Sequence, residues 1–180
     1  MRHSSFTAVY DACVLYPAPL RDFLMWLALS GLYRARWTEE IHCEWKRNLL
    51  KNRPDLTIEQ LDRTSQLMDL AIPDACVDSY EDLIVGLSLP DDDDRHVLAA
   101  AIRCGADVIV TFNLKDFPIR SLEPFGIEAQ HPDEFVENLF IWIHPRSLRL
   151  PKNSVNTSRP QRWMWIVSLL FCNAKAWTSQ

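Results

Sequence analysis

Residues 91–117 read DDDDRHVLAAAIRCGADVIVTFNLKDF, and this stretch decides the fold. The four aspartates precede apolar residues at helical spacing, namely Val97, Leu98, Ala101 and Ile102. Gly105 then stands where a left-handed C-terminal cap belongs, so a buried helix is predicted between the acids and this glycine. The acids lie next to the partial positive charge of the helix N-terminus. Such a run is either a capping and solubility feature or one wall of a cation site.

The sequence also predicts a parallel sheet. Residues 107–111 (DVIVT) form the clearest strand, a short run of β-formers occurs at residues 6–10, and a further short strand is expected at residues 127–129. Asp11 follows the first strand directly, at the edge where open α/β folds place their sites. Because helical patterns separate the strands, parallel βαβ units and an α/β fold are expected.

The remaining helices are predicted from caps and periodicity. The apolar segment Leu20–Tyr33, which includes Trp26, predicts a heavily buried helix that ends near Gly31. Thr38 caps a second helix, with Ile41, Trp45 and Leu49 on its buried side and Lys46, Arg47 and Lys51 on its wetter side.

Later segments give further local predictions. Residues 57–60 (TIEQ) form a capping box that opens another helix, to which no chemistry is assigned. Residues 75–77 are a candidate short strand, and Ser79 is expected to open a short helix through Leu87. Pro132 is predicted at the first position of a helix.

The composition is that of one soluble globular domain. The 180 residues are 48% hydrophobic and 24% charged, and the net charge of -5 argues against a generic polyanion binder. It does not exclude a nuclease, because a carboxylate-rich metal site is itself acidic. Five dispersed cysteines predict reduced core thiols in a cytoplasmic protein. Residues 1–5 contain no apolar signal core, and no segment is expected to cross a membrane.

The C-terminal segment has a different composition. Residues 138–180 contain no Asp or Glu, and four of the seven tryptophans lie there among basic residues. One interpretation is a basic, aromatic arm for nucleic acid. The favoured interpretation is out-of-frame translation, with a domain at residues 1–140 and an atypical tail at 141–180. Deleting the residues after Phe140 is then expected to leave the fold and any activity intact.

Several carboxylates fall at the predicted carboxyl edge of the sheet or beside it. They are Asp11, Asp94 and Asp116, with Asn113 nearby and Glu44 reaching in from a helix. Oxygen ligands without His or Cys suit a hard cation such as Mg²⁺, which keeps waters and binds substrate phosphate. Phosphodiester hydrolysis is the chemistry that such a site implies.

The ordered set of motifs resembles a PIN domain over about residues 5–138, and more narrowly the VapC-like ribonucleases of toxin–antitoxin pairs. The motifs that carry the resemblance are Asp11-Ala12-Cys13-Val14-Leu15, Glu44, Asp94–Ala101, Gly105-Ala106-Asp107 and Thr111–Phe117. The resemblance implies a three-layer α/β/α fold with a central parallel sheet of four to five strands. It also implies an endoribonuclease dependent on Mg²⁺ or Mn²⁺, with an RNA substrate and a cognate antitoxin protein. A homodimer through the apolar Leu20–Tyr33 segment is an alternative to core burial of that segment.

Carried over by position, Asp11, Glu44 and Asp94 are the first three catalytic acids. Asn113 stands where the family often has Asp, so Asp116 is expected to substitute as the fourth. Asp11, Asp94 and Asp116 are the expected metal ligands.

Supporting roles are expected for Asp91, Asp93, Thr111 and Asn113, whereas Asp92 is expected to face solvent. Cys13 replaces the Asn or Ser frequent in the family, and a thiol makes a poorer hydrogen bond to a neighbouring acid.

Other charged residues near the acids have more than one interpretation. Arg95 and Lys115 could meet RNA phosphates, and ordinary surface charge is the alternative. His96 is predicted to be a helix-surface residue.

Two other function classes stay open. One is a PIN-like binding module with weakened catalysis, which Asn113 and the tail suggest. The other is a phosphotransfer enzyme of the haloacid-dehalogenase type. That class would require a second aspartate two places after Asp11, where Cys13 stands.

Overall fold

The computed structural model describes residues 6–143, and its centre is a four-stranded, entirely parallel sheet. The strand order is β2-β1-β3-β4. The strands are β1 (Thr7–Tyr10), β2 (Arg34–Arg36), β3 (Val108–Val110) and β4 (Glu128–Gln130). The prediction of a parallel sheet of four to five strands is confirmed.

Helices lie in the connections between the strands, and one more helix follows β4. They are α1 (Ala12–Leu15), α2 (Ala18–Leu29), α3 (Glu39–Asn52), α4 (Ile58–Ala71), α5 (Glu81–Ile84), α6 (Arg95–Cys104), α7 (Ile119–Leu122) and α8 (Pro132–Ile143). Two short 3₁₀ turns occur at Asp92–Asp94 and Glu123–Phe125.

The strand order places helices on both faces of the sheet. The chain leaves β1 toward β2 and later returns past β1 to β3, so its direction across the sheet reverses. Right-handed crossovers in opposite directions lie on opposite faces, which gives the α/β/α arrangement. The reversal lies between β1 and β3, and open parallel sheets bind ligands outside the carboxyl ends of strands at such a point.

The register brings the ends of β1 and β3 side by side. Tyr10 pairs with Val110, so Asp11 and Thr111 are the first residues beyond the two strands. Both strands are buried throughout, which fixes their position in the core. The backbone N–H of Asp11 continues the ladder by donating to the Val110 carbonyl at 3.1 Å.

The predicted caps form as the sequence indicates. The Thr38 hydroxyl accepts from the Ile41 N–H at 3.1 Å and begins α3. Thr57 and Gln60 make both bonds of the capping box at the start of α4. Gly105 ends α6 with φ of +61°, the left-handed conformation that favours glycine.

A buried polar network joins α3 to α4. Trp37 donates its indole N–H to Asp69 Oδ1 at 2.8 Å, and His42 Nε2 lies 3.3 Å from the same oxygen. Trp45 donates to His42 Nδ1 at 3.0 Å. Because Nδ1 accepts this bond, it carries no proton, and burial lowers the pKa of His42 despite the neighbouring Asp69. The network holds in place the helix that carries Glu44.

The prediction that Lys46 lies on the solvent-facing side of α3 was wrong, because Lys46 is buried. Its ammonium lies 2.9 Å from the Asp62 carboxylate and 3.4 Å from the Ser65 hydroxyl, both on α4. The long aliphatic stem of lysine packs in the interface while its charge is paired.

The helix predicted from Leu20 to near Gly31 forms over Ala18–Leu29, and it is less buried than expected. Trp26, which was expected on the buried helix, is 55% exposed. The next segment forms β2, which sequence analysis missed. Tyr33, Ala35 and Trp37 are buried and alternate with polar residues, which is the two-residue period of a strand.

Two other local predictions were wrong. Residues 75–77 form only an isolated bridge between Trp37 and Cys76, not a strand of the sheet. Ser79 has φ of +56° and lies before the Tyr80 cap of α5, so it does not begin that helix. The expected core thiols are also incorrect for the described cysteines, because Cys43 and Cys76 are exposed and Cys13 and Cys104 are half-buried.

The chain divides into two compact units, residues up to Pro132 and residues from Asp133 onward. In the second unit the structure describes the greater part of α8, whose first turn carries Asp133 and Glu134. Most of the tail, from residue 144, lies outside the described residues, so the boundary at residue 140 stays a prediction. In residues 6–143 no helix has the length and apolar character needed to span a membrane.

The C-terminal cap of α6 can be tested with Gly105→Ala. We expect this change to lower the free energy of unfolding by about 1 kcal/mol, because an alanine side chain is strained at positive φ. Urea unfolding measures the effect. Gly86→Ala is the matched control, since its added Cβ would make only an ordinary contact with the Leu83 carbonyl at 3.7 Å. Equal losses in the two variants would contradict the assignment.

Candidate functional site

Asp11 is fixed at the carboxyl end of β1 by two side-chain hydrogen bonds. It is 2% exposed, and its Oδ2 accepts from the Thr111 hydroxyl at 2.6 Å and from the Cys13 thiol at 3.0 Å. Both bonds go to one oxygen and leave Oδ1 without a donor among residues 6–143. Asp11 is therefore oriented with half of its carboxylate available to another ligand.

The Cys13 thiol serves as a hydrogen-bonding group at this strand end. Its sulfur lies 3.5 Å from the Thr111 hydroxyl and accepts from the Phe112 N–H at 3.2 Å. Burial, together with the charge of Asp11, raises the pKa of the thiol far above its ordinary value. Cys13 therefore keeps its proton and donates it to Asp11.

The charges of the predicted acids converge on Asp94, the residue that begins α6. Burial raises the pKa of Asp94 to about 7, assisted by the charges of Asp11, Asp91, Asp116 and Glu44. A like charge shifts a pKa in this way only at short range. The structure thus brings Asp11, Asp116 and Glu44 each within electrostatic reach of Asp94.

The four-aspartate run does not act as one unit. Asp91 Oδ1 accepts from the Asp93 N–H at 3.0 Å and shapes the 3₁₀ turn. The Asp92 side chain is 75% exposed, as predicted, and Asp93 is also exposed. Asp94 alone of the four is half-buried, because it lies where the turn meets the packed helix.

The segment after β3 brings Asp116 toward the same edge. Thr111 is fully buried and its hydroxyl also accepts from the Asn113 N–H at 2.9 Å. The Asn113 carbonyl in turn accepts from the Asp116 N–H at 2.9 Å. Asn113 is exposed whereas Asp116 is half-buried. The tight turn explains how an acid three residues after Asn113 can contribute charge to the site.

His96 was wrongly predicted to lie on the helix surface. It is 6% exposed, and its Nε2 lies 3.6 Å from Glu44 Oε2 while its Nδ1 lies 3.7 Å from Glu40 Oε2. Tyr80 donates its hydroxyl to Glu40 at 3.2 Å. Burial alone would lower the pKa of His96, but its close contact with Glu44 and the charges of Glu40 and Glu44 outweigh it and raise the pKa.

A sequence signal for this burial exists. Every residue from His96 to Ala101 is buried, and the run of three alanines lets other elements approach α6 closely. A histidine directly before such a run has little solvent-facing surface available. In the sequence Glu40 is only an acid in the first turn of α3, and its contact with His96 depends on tertiary packing that the sequence does not display.

The predicted RNA-binding residues, Arg95 and Lys115, lie close in sequence to Asp94 and Asp116. Arg95 donates from Nε to the Asp92 carbonyl at 2.9 Å and lies 3.5 Å from the Asp92 carboxylate. Lys115 is exposed in the turn after β3. Their roles stay predictions.

The donor chemistry of the site fits a hydrated divalent cation. Within residues 6–143 no lysine or arginine pairs with Asp11, Asp94 or Asp116, so their charges are uncompensated. No three His, Cys, Asp or Glu side chains in that range already form a ligand set. Mg²⁺ does not need one, because it retains waters and binds through one or two carboxylates and a substrate phosphate.

The raised pKa of Asp94 predicts a pH-dependent stability. Between about pH 4, where an unfolded aspartate ionises, and pH 7 the folded protein binds the extra proton. Its free energy of unfolding therefore falls as the pH rises through this range. We expect Asp94→Asn to be more stable than the parent at pH 8 and to lose this advantage at pH 4. Urea unfolding in EDTA measures the difference, with Asp92→Asn as the exposed control.

An advantage of Asp94→Asn that is independent of pH would contradict the crowding of carboxylates around Asp94.

Comparison with known proteins agrees with this architecture. Residues 7–115 match the PIN domain family. A 57-residue segment is 54% identical to "Putative ribonuclease VapC50" of Mycobacterium tuberculosis, and it covers 32% of this chain and about a third (33%) of that relative. No solved structure matches the chain. Since the family match extends over more than half of the chain, the protein belongs to the PIN domain family.

Proposed function

We propose that this protein is an endoribonuclease that depends on Mg²⁺ or Mn²⁺ and hydrolyses RNA phosphodiester bonds. The observation that carries the proposal is the gathering of uncompensated carboxylates around Asp94 at the switch point of the sheet. The family membership and the name of the relative, a putative ribonuclease, support the same conclusion.

Asp11, Asp94 and Asp116 would hold the cation. When bound, it would neutralise charge on the phosphate oxygens and orient a water for in-line attack. Thr111 and Cys13 keep Asp11 in one orientation, so its free oxygen points to a fixed place without further ordering. A need for such an orientation would account for two buried donors, the Thr111 hydroxyl and the Cys13 thiol, that both bond to the same oxygen of Asp11.

Glu44 would serve the attacking water. Its side chain is 28% exposed, compared with the deep burial of Asp11, so it borders both the acid cluster and solvent. In the proposed step the water oxygen bonds to phosphorus and its proton passes to Glu44. The bond from phosphorus to the leaving ribose oxygen breaks, and that oxygen keeps the electron pair and takes up a proton from solvent. A positioned carboxylate is suited to accept such a proton.

The wider role is proposed from the same family context. RNA would be the substrate, with Arg95 and Lys115 contacting its phosphates beside the acids. A cognate antitoxin protein, a homodimer and a cytoplasmic location complete the proposal. The toxin assignment rests on the resemblance to VapC-like ribonucleases, and the VapC name of the relative is consistent with it.

One observation favours a second candidate, a binding module with weakened catalysis. Asn113 is exposed beyond β3 and brings no charge to the position where the resemblance leads us to expect an acid. Against this candidate, Asp116, three residues after Asn113, acts electrostatically on Asp94. Asp116 can therefore supply the negative charge that Asn113 lacks.

Cleavage of single-stranded RNA tests the proposed activity. With Mg²⁺ or Mn²⁺ present, we expect Asp94→Asn to lower the cleavage rate by roughly 100-fold or more, because charge stabilisation worth several kcal/mol is lost. Asp92→Asn, an exposed neighbour in the same turn, is the matched control. Equal cleavage by the parent and Asp94→Asn would refute the assignment.

Thermal melting with added metal separates the two candidates. A nuclease with this site should be stabilised as Mg²⁺ or Mn²⁺ rises, by about 2.7 kcal/mol at a hundred times the Kd. The effect should be lost in Asp94→Asn, because its amide carries no charge. A melting temperature of the parent that does not respond to either metal would instead favour the binding module.

A further inference from the structure

We propose that His96 is a positioning residue that holds Glu44 in place for the site and is itself anchored by Glu40 and Tyr80. The inference rests on the proposed function, because it assigns the support of one of the proposed catalytic acids. We call the four side chains of Tyr80, Glu40, His96 and Glu44 the histidine bridge.

The bridge is continuous from the loop before α5 to the acid cluster. Tyr80 donates to Glu40 Oε2 at 3.2 Å, and that oxygen lies 3.7 Å from His96 Nδ1. The other ring nitrogen, Nε2, lies 3.6 Å from Glu44 Oε2. Contacts slightly beyond hydrogen-bond length are usual for catalytic groups before ligands bind, and they tighten in the loaded complex.

The spacing of the two glutamates allows the single imidazole ring of His96 to contact both of them. Glu40 and Glu44 are four residues apart on α3, so their side chains lie on the same face one turn apart. His96, in the first turn of α6, presents one nitrogen to each of them. The ring therefore fixes the position of Glu44 relative to the helix that begins with Asp94.

A purely structural role does not explain the arrangement well. The His96 side chain is 7% exposed, and its Nδ1 is buried without a hydrogen-bond partner. A buried polar atom left unsatisfied is costly, and stability alone would be served better by an apolar residue in this packed helix. By contrast, the buried His42 makes close polar contacts through both ring nitrogens, at 3.0 and 3.3 Å. The loose geometry of His96 suits a group whose bonds close only when Glu44 is engaged.

The test uses two substitutions of different chemistry on the full chain. Gln places its amide nitrogen near the position of His Nε2 and can still donate to Glu44, whereas Leu fills the space and donates nothing. We expect His96→Leu to weaken Mn²⁺ binding by roughly 10-fold, because a displaced Glu44 would no longer contribute its negative charge beside Asp94, one of the proposed ligands. His96→Gln should recover most of the affinity. Isothermal titration with Mn²⁺ gives this readout without reference to catalysis.

A double-mutant cycle establishes whether His96 acts through Glu44. RNA cleavage is measured for His96→Leu, Glu44→Gln and the combination, with kcat and KM determined separately. If His96 works by holding Glu44, kcat falls in His96→Leu with little change in KM. The substitution then has no further effect in the Glu44→Gln background. Glu40→Gln should reproduce part of the loss, whereas Glu39→Gln, whose carboxylate faces Lys46 at 3.8 Å, should not.

The outcomes separate this inference from the proposed function. If the parent binds Mn²⁺ and cleaves RNA but His96→Leu and His96→Gln behave alike, or if the two losses add in the cycle, the positioning role is overturned. If the parent neither binds Mn²⁺ nor cleaves RNA, the proposed function fails and this inference fails with it. The positioning role is supported if His96→Leu lowers Mn²⁺ affinity and kcat while His96→Gln retains most of both. In addition, His96→Leu must have no further effect on kcat in the Glu44→Gln background.

Discussion

The parallel pairing of β1 with β3 is the constraint on which the site depends. It places Asp11 and Thr111 next to each other although they are one hundred residues apart in sequence, and a 2.6 Å hydrogen bond joins their side chains. Both strands are buried throughout, so their register cannot shift without moving apolar side chains out of the core. The position of the first acid is therefore set by the core of the protein.

The same constraint forces like charges together. Asp94 lies beside Asp11 because α6 packs against the sheet, and the protein tolerates the repulsion by leaving Asp94 with a pKa of about 7. The N-terminus of α6 offsets part of that cost through its partial positive charge. The repulsion that is left between the carboxylates is typical of a site that binds a positively charged ligand.

Local features of the sequence predicted much of this molecule. The caps at Thr38, Thr57 and Gly105 depend on side chains within a few residues, and they form as expected. The strands β1 and β3, which were predicted correctly, consist largely of consecutive β-formers. The gathering of the acids also follows from topology, since the ends of adjacent parallel strands must share an edge.

What escaped prediction depends on contacts between distant segments. His96 and Lys46 are polar residues whose burial is compensated by partners elsewhere in the chain, and periodicity alone assigned both to solvent. The short strand β2 was hidden by its arginines, although the buried Ala35 between them marks the alternation. The prediction for Trp26 was wrong in the opposite direction, since it was expected to be buried and is exposed. A continuous apolar run does not reveal which face of its helix points to solvent.

The hydrogen bond from Cys13 to Asp11 has a consequence for the redox chemistry of the protein. Only a thiolate reacts readily with peroxides or alkylating reagents, and the adjacent carboxylate together with burial suppresses that form at Cys13. Oxidants and labels would more readily reach the exposed sulfurs of Cys43 and Cys76. The thiol that is hydrogen-bonded to Asp11 should therefore react more slowly than these two, and maleimide probes are expected to modify Cys43 and Cys76 before the acid cluster.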